Sequence, residues 1–456
     1  MVDSEKLRKI VGRDWVITKR EQMENYLVDE TALAVRPKPA DNVIVVKPGS
    51  SQEISAIMKL ANSEKTPVFI RGGGTGLCGG AIPTIDGIVI SMERLDKIEE
   101  LDEENLMIVA EAGVTLESML KAVDGTHLFF PPHPGDEGAQ LGGLVACNAG
   151  GARAIKYGVF RNYVRGLEVV LPTSDIITVG GKLLKNNQGL DLLHLLISSE
   201  GILGVITQVI LRLYPRPVSS VTLLISYKTR CNAMDSVVKI MQSGVIPLAI
   251  EYVDRDLIET STRYLNMKWP VTTGQAYLIV ILTGANDDEV YLQGEQVSDI
   301  CEKYNAVDIL VAERREEQAD ILKIRSEVYS AMKDRTADIL DITVPPAGVR
   351  IVMDKIDAIA KRFSTTIPVY GHAGDGNLHP HLLNDLQERG LVRRVKREIY
   401  HATITLGGVI TGEHGVGVVR IPELDLCPDR KAWDLMKMIK HIFDPNNILN
   451  PGVGLL

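Results

Sequence analysis

Three of the chain's nine histidines fall within the run Gly371-His372-Ala373-Gly374-Asp375-Gly376-Asn377-Leu378-His379-Pro380-His381. Imidazole nitrogens ligate divalent metals and exchange protons near neutral pH. On a straight strand, His372 and His379 would point to opposite faces, because their spacing is odd. The glycines between them let the chain turn back, so that both rings can reach one ion. A divalent site with an open position needs a third protein ligand. Glu413, in Gly412-Glu413-His414-Gly415, is the natural carboxylate for it. Such ligands suit zinc, iron or manganese alike. His414, beside Glu413, is the candidate general base, since an ordinary imidazole pKa of about 6.5 lets it accept a proton at neutral pH. The competing reading of the same run is a glycine-rich surface turn whose histidines hydrogen-bond locally. With one large apolar residue, the run reads as a loop rather than a packed core element.

Glycine recurs in three further places. Arg71-Gly72-Gly73-Gly74-Thr75-Gly76-Leu77 directly follows the β-rich run Pro67–Arg71. Free N–H groups on so permissive a backbone make a nest for phosphate oxygens. The run is neither GxGxxG nor a Walker A loop. A second block extends from Phe130 to Gly158 and contains Leu141-Gly142-Gly143 and Asn148-Ala149-Gly150-Gly151. A third is Glu200-Gly201-Ile202-Leu203-Gly204-Val205-Ile206. Three such blocks exceed what turns require, and they suit a long phosphate-bearing cofactor.

The elements that must position these residues alternate in type. Residues 1 to 35 read as polar helix. NVIVVKP is a strand, and the stretch after it is a helix entered through a Ser50/Glu53 capping box. PVFIR, GIVISM, LMIVAEAG, LEVVLP and VITQVILRLYP supply further strands. A second half opens near Val218, with strands VTLLISY, PLAIEYVD, QAYLIVILTG, VDILVAE, DILDITVP and IPVYG. Its helices are NAMDSVVKIMQSG, NDDEVYLQGEQVSDICEKYN and one long REEQADILKIRSEVYSAMKDR. The expected fold class is α+β, with helices on one face of a mainly antiparallel sheet in the second half.

The bulk numbers narrow the classes. A chain of 456 residues supports roughly two to four domains. A net charge of −9 with no Lys/Arg-dense run lacks the footprint of nucleic-acid binding. The five cysteines contain no CxxC, which excludes iron–sulfur and zinc-ribbon spacings and fits a reducing compartment. The first residues lack a signal-peptide core, and no apolar run is long enough to span a bilayer. The expectation is a cytoplasmic protein without a transmembrane segment.

Together, RGGGTGLCGG, LGGLVACNAGGARAIKYG and EGILGVIT resemble the FAD-binding domain of vanillyl-alcohol-oxidase type flavoproteins, the p-cresol methylhydroxylase fold. GHAGDGNLH, TGEHGVG and the closing LNPG resemble the branch containing D-lactate dehydrogenases, glycolate oxidase FAD subunits and D-2-hydroxyglutarate dehydrogenases. The resemblance implies a two-subdomain FAD-binding domain over 1–217 and an α+β substrate or cap domain with an antiparallel sheet over 218–410. The segment 411–456 then returns to the FAD domain. It implies non-covalent FAD, with the pyrophosphate on Arg71, Gly72, Gly73, Gly74, Thr75, Gly76 and Leu77. The flavin and the rest of FAD fall to Pro134, Gly135, Leu141, Gly142, Gly143, Cys147, Asn148, Gly150, Gly151, Tyr157 and Gly158, and to Glu200, Gly201, Gly204, Val205 and Ile206. Asn450 is similar to a family residue near the flavin. His133 stands where the family often has aspartate.

The resemblance also implies His372, His379 and Glu413 as metal ligands and His414 as base. Arg325 is the cation for the substrate carboxylate, and Asn377 hydrogen-bonds substrate or metal-bound water. The segment Ala337–Thr343 lacks the lysine of the D-2-hydroxyglutarate branch, which favours a small monocarboxylate such as D-lactate or glycolate. The expected activity is FAD-dependent, metal-assisted oxidation of a small D-2-hydroxy acid. Electrons leave to a quinone, a cytochrome, an iron–sulfur subunit or, first, an electron-transfer flavoprotein, and with a protein acceptor a hetero-oligomer is expected. Two other classes fit parts of the pattern. A metallohydrolase leaves the three glycine blocks unexplained, and a non-catalytic flavin electron carrier leaves His414 and Arg325 idle.

Overall fold

The computed structural model describes residues 3–455. The first half contains two larger sheets and a two-stranded pair, Leu128–Phe129 with Tyr214–Pro215. In one, Val43–Val46, Gly87–Ser91 and Val68–Arg71 run parallel, and Val16–Ile17 pairs antiparallel at the edge. The helix Ser51–Glu64 makes the crossover. Ser50 Oγ accepts from Glu53 N at 3.2 Å, as the capping signature predicts, while the Glu53 carboxylate reaches back to Gly49 N at 2.7 Å. The other sheet is antiparallel, in the order Ile98–Asp102, Met107–Glu111, Val205–Arg212, Val164–Val170, Ile176–Gly180.

The polar helix expected over residues 1 to 35 is mostly absent. Only Ser4–Val11 is α-helical, and short 3-10 turns follow. Gly12, at φ +91°, ends the helix, and Met23 and Leu27 are drawn into a small core with Val43, Val45, Phe69 and Val89. Tertiary burial overrides helical pattern there.

The second half is built on an eight-stranded antiparallel sheet. Its order is Ala306–Ala312, Ser219–Tyr227, Ala276–Gly284, Ala249–Asp254, Val369–His372, Asn377–Leu383, Thr336–Ile339, with Ile342–Thr343 also on Asn377–Leu383. Helices cover both faces of this sheet, not one. Val221, Leu223 and Ile225 pack with Met234, Val297 and Val352 on one side. Leu224, Ile279 and Ile281 pack with Leu257, Ile321 and Ile324 on the other. Near-continuous apolar strands such as YLIVIL are the signature of a sheet buried on both faces. The long helix expected after Arg314 is two, Arg315–Ser326 and Val328–Met332. At the break, the Ser326 hydroxyl bonds back to Lys323 O, a local bond that competes with the helical ladder.

The chain after residue 411 touches both halves: Val416 and Leu424 join the core of the second, and other residues return to the first. Val418 N and Val419 N donate to Cys78 O, and Leu449 bridges to Val68.

Candidate active site

The histidine run is a buried hairpin, not a surface loop. Val369–His372 pairs with Asn377–Leu383 so that His372 faces Asn377 and Tyr370 faces His379. Cross-strand partners share a face, and so do alternate residues along a strand. The register therefore puts His372, Asn377, His379 and His381 on one side despite the odd spacing. Gly376 makes the turn possible, since at φ +86° its Cβ would stand 2.0 Å from Val344 O. Asn377, His379 and His381 are all buried.

Glu413 arrives from the turn Thr411–Gly417. Its Oε1 lies 3.2 Å from His379 Nε2, 3.4 Å from His372 Nε2 and 3.7 Å from His414 Nε2. Ligand atoms of His372, His379 and Glu413 all lie within 4.8 Å of one another. The rings of His379 and His414 stack at 4.9 Å and 9°. Burial opposes the charge on His372, yet Glu251 and Glu413 hold its pKa well above the imidazole range. Burial likewise opposes the charge on Glu413, which His372 and His379 hold well below the carboxylate range. Burial lowers the pKa of His414 against the pull of Asp341.

Three carboxylates organise this cluster: the buried Glu251 and Asp341, which the sequence does not single out, and the half-buried Glu200, expected there as a cofactor-binding residue. Glu251, 1% exposed, holds His372 Nδ1 at 2.7 Å and Arg325 Nη2 at 2.5 Å. Asp341 accepts from the Thr411 hydroxyl and from the N–H groups of Gly412, Glu413 and His414. Glu200 accepts from Val416 N and Gly417 N at 2.9 and 2.7 Å. The glutamate–histidine turn is thus gripped from both halves of the molecule. The signal in the sequence is an acid flanked by apolar residues, Glu251 in PLAIEYVD and Asp341 in DILDITVP.

Asn377 sits at the centre, but its amide nitrogen already donates to Asp341 Oδ1 at 2.8 Å, to Thr343 Oγ1 at 3.0 Å and to Ile342 O at 3.1 Å. Arg325 is buried rather than exposed on its helix. Its guanidinium lies 4.5 Å over the Tyr370 ring, and its Nε and Nη2 have no hydrogen-bond partner of good geometry. His381 donates or accepts at Thr336 Oγ1, 2.9 Å away, and burial pushes its pKa down to about 3.

The glycine blocks divide into cradle and scaffold. Among the described residues, no backbone N–H from Gly72 to Leu77 donates to another protein group. Side chains there would not fit, since a Cβ on Gly73 would lie 2.7 Å from Gly138 O. That row of free donors fits the phosphates of FAD. Arg71 lies beneath the loop, against Gly74, and donates to Val28 O. In the helix Leu141–Cys147, Gly143 and Cys147 are exposed one turn apart while Leu141 and Gly142 are buried. Pro134 packs on Gly151, and Gly150 lies against Glu413.

Other residues of the set do structural work. Asn148 Oδ1 accepts from Arg161 N, Tyr157 meets Phe129 edge to face, and Gly158 fits against Asn162. Gly204 packs on Val169 at the start of the strand holding Val205 and Ile206. Gly135 is exposed. Asn450 accepts from Ile70 N and donates to Glu200 O and Gly201 O, tying the first and third glycine blocks together.

Comparison with known proteins agrees with this layout. Residues 43–180 match the FAD binding domain family, and residues 216–453 match the family of FAD linked oxidases, C-terminal domain. The chain is 41% identical to D-lactate dehydrogenase of Archaeoglobus fulgidus, over 94% of each chain. It is 38% identical to glycolate oxidase subunit GlcD of Bacillus subtilis, over 90% of this chain and 88% of that one. The fold matches 4-ethylphenol oxidase from Gulosibacter chungangensis with a TM-score of 0.79, at 18% identity, over 99% of this chain and 96% of that one. A paired FAD-binding domain and oxidase C-terminal domain, with relatives this similar along almost the whole length, place the chain among the FAD-linked oxidases, as an FAD-dependent oxidoreductase.

Proposed function

We propose that the protein is a metal-assisted dehydrogenase of a small D-2-hydroxy acid, D-lactate first. The observation that carries this reading is the convergence of His372, His379 and Glu413 within 4.8 Å, beside a buried Arg325 and against Gly150 of the second glycine block. The donor set of two imidazoles and a carboxylate is that of a divalent site with an open position.

FAD, when bound along the glycine blocks, supplies the two-electron acceptor. A divalent ion on His372, His379 and Glu413 supplies a Lewis acid that lowers the pKa of a substrate hydroxyl. Oxidation to the keto acid removes the hydroxyl proton and the α-hydrogen with its electron pair. His414 takes and holds that proton at Nε2, the ring nitrogen that faces Glu413. Arg325 binds the substrate carboxylate through its guanidinium, whose Nε has no hydrogen-bond partner within the protein, while Nη2 stays paired with Glu251. Glu251 fixes the guanidinium and His372 together. Asn377, with its amide nitrogen committed, acts through Asp341 rather than on substrate.

The absence of lysine from Ala337–Thr343 favours a monocarboxylate. Glycolate is the second reading, favoured by the similarity to the Bacillus subtilis glycolate oxidase subunit. Electrons pass to a protein partner, an electron-transfer flavoprotein first, in the cytoplasm. In support, the chain has no cysteine motif for a cluster, and no helix among the described residues is long and apolar enough to cross a membrane.

The test is anaerobic bleaching of the purified yellow protein by D-lactate, glycolate or D-2-hydroxyglutarate. D-lactate should bleach it fastest, and His414→Ala should keep the colour but not be reduced. A protein that cannot be loaded with FAD, or a His414→Ala variant reduced at the normal rate, refutes the reading.

A further inference from the structure

We propose that Asp341 is the positioning residue of this centre: it fixes the Thr411–His414 turn and stands behind Nδ1 of both His379 and His414, so that each ring turns Nε2 towards Glu413 and the place a divalent ion would take. The inference rests on the metal-centre reading of His372, His379 and Glu413.

Asp341 is fully buried between Leu340 and Ile342. A carboxylate so placed is tolerable only when hydrogen bonds satisfy it. Its Oδ2 accepts from the Thr411 hydroxyl at 2.9 Å and from three successive backbone groups, Gly412 N at 2.8 Å, Glu413 N at 2.9 Å and His414 N at 2.8 Å. Its Oδ1 accepts from Asn377 Nδ2 at 2.8 Å. Three consecutive N–H groups on one oxygen form an anion nest whose anion is a side chain of the same protein. The turn cannot unwind without leaving that charge bare. Glu413 and His414 take their places from it.

Asp341, His379 and His414 could by distance form a metal site of their own, their atoms lying within 4.8 Å. The count of donors argues against it. A carboxylate offers about four lone-pair positions, and five donors already use Asp341. It stands behind the rings rather than beside an ion.

The rings themselves are oriented alike. His379 presents Nδ1 to Asp341 Oδ1 at 3.8 Å and Nε2 to Glu413 at 3.2 Å. His414 presents Nδ1 to Asp341 Oδ2 at 4.0 Å and Nε2 to Glu413 at 3.7 Å. Both Nδ1 atoms are buried and have no hydrogen-bond partner. Asp341 favours a proton on each Nδ1, while Glu413, nearer to each Nε2, favours one there. A divalent ion between Glu413 and the rings would remove the second preference and leave Asp341 to hold the proton of both rings on Nδ1. His372 has the same arrangement with a different acid, Glu251, on its Nδ1 at 2.7 Å. All three imidazoles are backed by buried carboxylates and converge through Nε2. A carboxylate behind a ligand histidine sets ring orientation and basicity.

Asp341→Asn keeps the shape and one acceptor for the turn but removes the charge. In the FAD-loaded variant, zinc affinity measured by competition with a chromophoric chelator should fall about 10- to 100-fold while the flavin absorbance stays. In zinc-loaded protein labelled with 15N-histidine, the ring signals of His414 should leave the Nδ1–H pattern in the variant. Zinc affinity within about threefold of wild type, or unmoved ring signals, overturns the proposal. Should the variant fail to fold, the zinc-loaded wild-type protein decides, because an Nε2–H pattern at His414 also overturns the proposal. His372→Ala in the same titration separates the two readings. If zinc binds wild type no more tightly than His372→Ala, the metal-centre reading fails, while the backbone amide signals of Thr411–His414 in Asp341→Asn still decide the hold of Asp341: unmoved signals overturn it.

Discussion

Glu413 lies against the backbone of Gly150, so closely that a Cβ at position 150 would stand 2.4 Å from its Oε2 and 3.2 Å from its Cβ. The second glycine block and the candidate metal ligand are thus in direct contact across the two halves of the molecule. Gly150→Ala should push Glu413 away from His372 and His379. A displacement of about 1 Å at a reacting centre costs on the order of a hundredfold in rate. The variant should therefore keep its flavin spectrum and lose about that factor in kcat/KM for D-lactate, together with divalent-metal affinity. Unchanged metal affinity would show that Glu413 has room to spare.

The sequence made the types of residue in the site legible, and the fold class with them. Glycine spacing pointed to a turn at Gly376, and His372 and His379 do meet through it. What it could not convey is which buried charge meets which. Glu251, Asp341 and Glu200 each sit among apolar or glycine neighbours, and their partners come from distant segments: His372 and Arg325, the Thr411–His414 turn, and Val416–Gly417. An acid among apolar neighbours says that a partner exists without naming it. Burial misled in the same way. A run of histidines and glycines looks like solvent-exposed loop until the covering elements are known, and helix Val349–Arg362 and the turn at Glu413 supply them from elsewhere.

Metal removal provides a second prediction. Dialysis of the yellow protein against a strong chelator should abolish reduction of the flavin by D-lactate without changing its visible spectrum. Zinc, manganese or ferrous ion added singly should restore it to different extents, since geometry and ligand type select among them. Full activity after exhaustive chelation, confirmed by elemental analysis, would leave the His372–His379–Glu413 cluster without a catalytic ion.

Arg325 should act on binding more than on turnover. Its planar guanidinium stacks on Tyr370 and pairs with Glu251, an arrangement that the point charge of lysine cannot copy. A charge-assisted hydrogen bond contributes about 1.5–3 kcal/mol, so that Arg325→Lys should raise the KM for D-lactate roughly 10- to 100-fold. Steady-state kinetics with kcat and KM separated is the check. A variant that lost kcat at unchanged KM would remove Arg325 from the substrate carboxylate.

Stability should depend unequally on the two partners of a buried ion pair, Asp338 and Arg420. Arg420 has no exposed surface, and its Nη1 lies 3.0 Å from both oxygens of Asp338. Lys396 approaches the same Asp338 at 3.2 Å and also faces Glu423 at 3.5 Å. Removing Asp338 leaves Arg420 without any carboxylate, whereas removing Arg420 leaves Asp338 with Lys396. Breaking a buried pair from one side costs about 3–5 kcal/mol when the survivor is uncompensated. Asp338→Ala should therefore lower the urea midpoint of unfolding by that equivalent, and Arg420→Met should lower it distinctly less. The double variant Asp338→Leu/Arg420→Met should recover part of the loss, because neither charge then remains to be paired, although Lys396 keeps only Glu423. Equal losses for the two single variants would mean that Lys396 does not stand in for Arg420 and that Asp338 depends on the guanidinium alone.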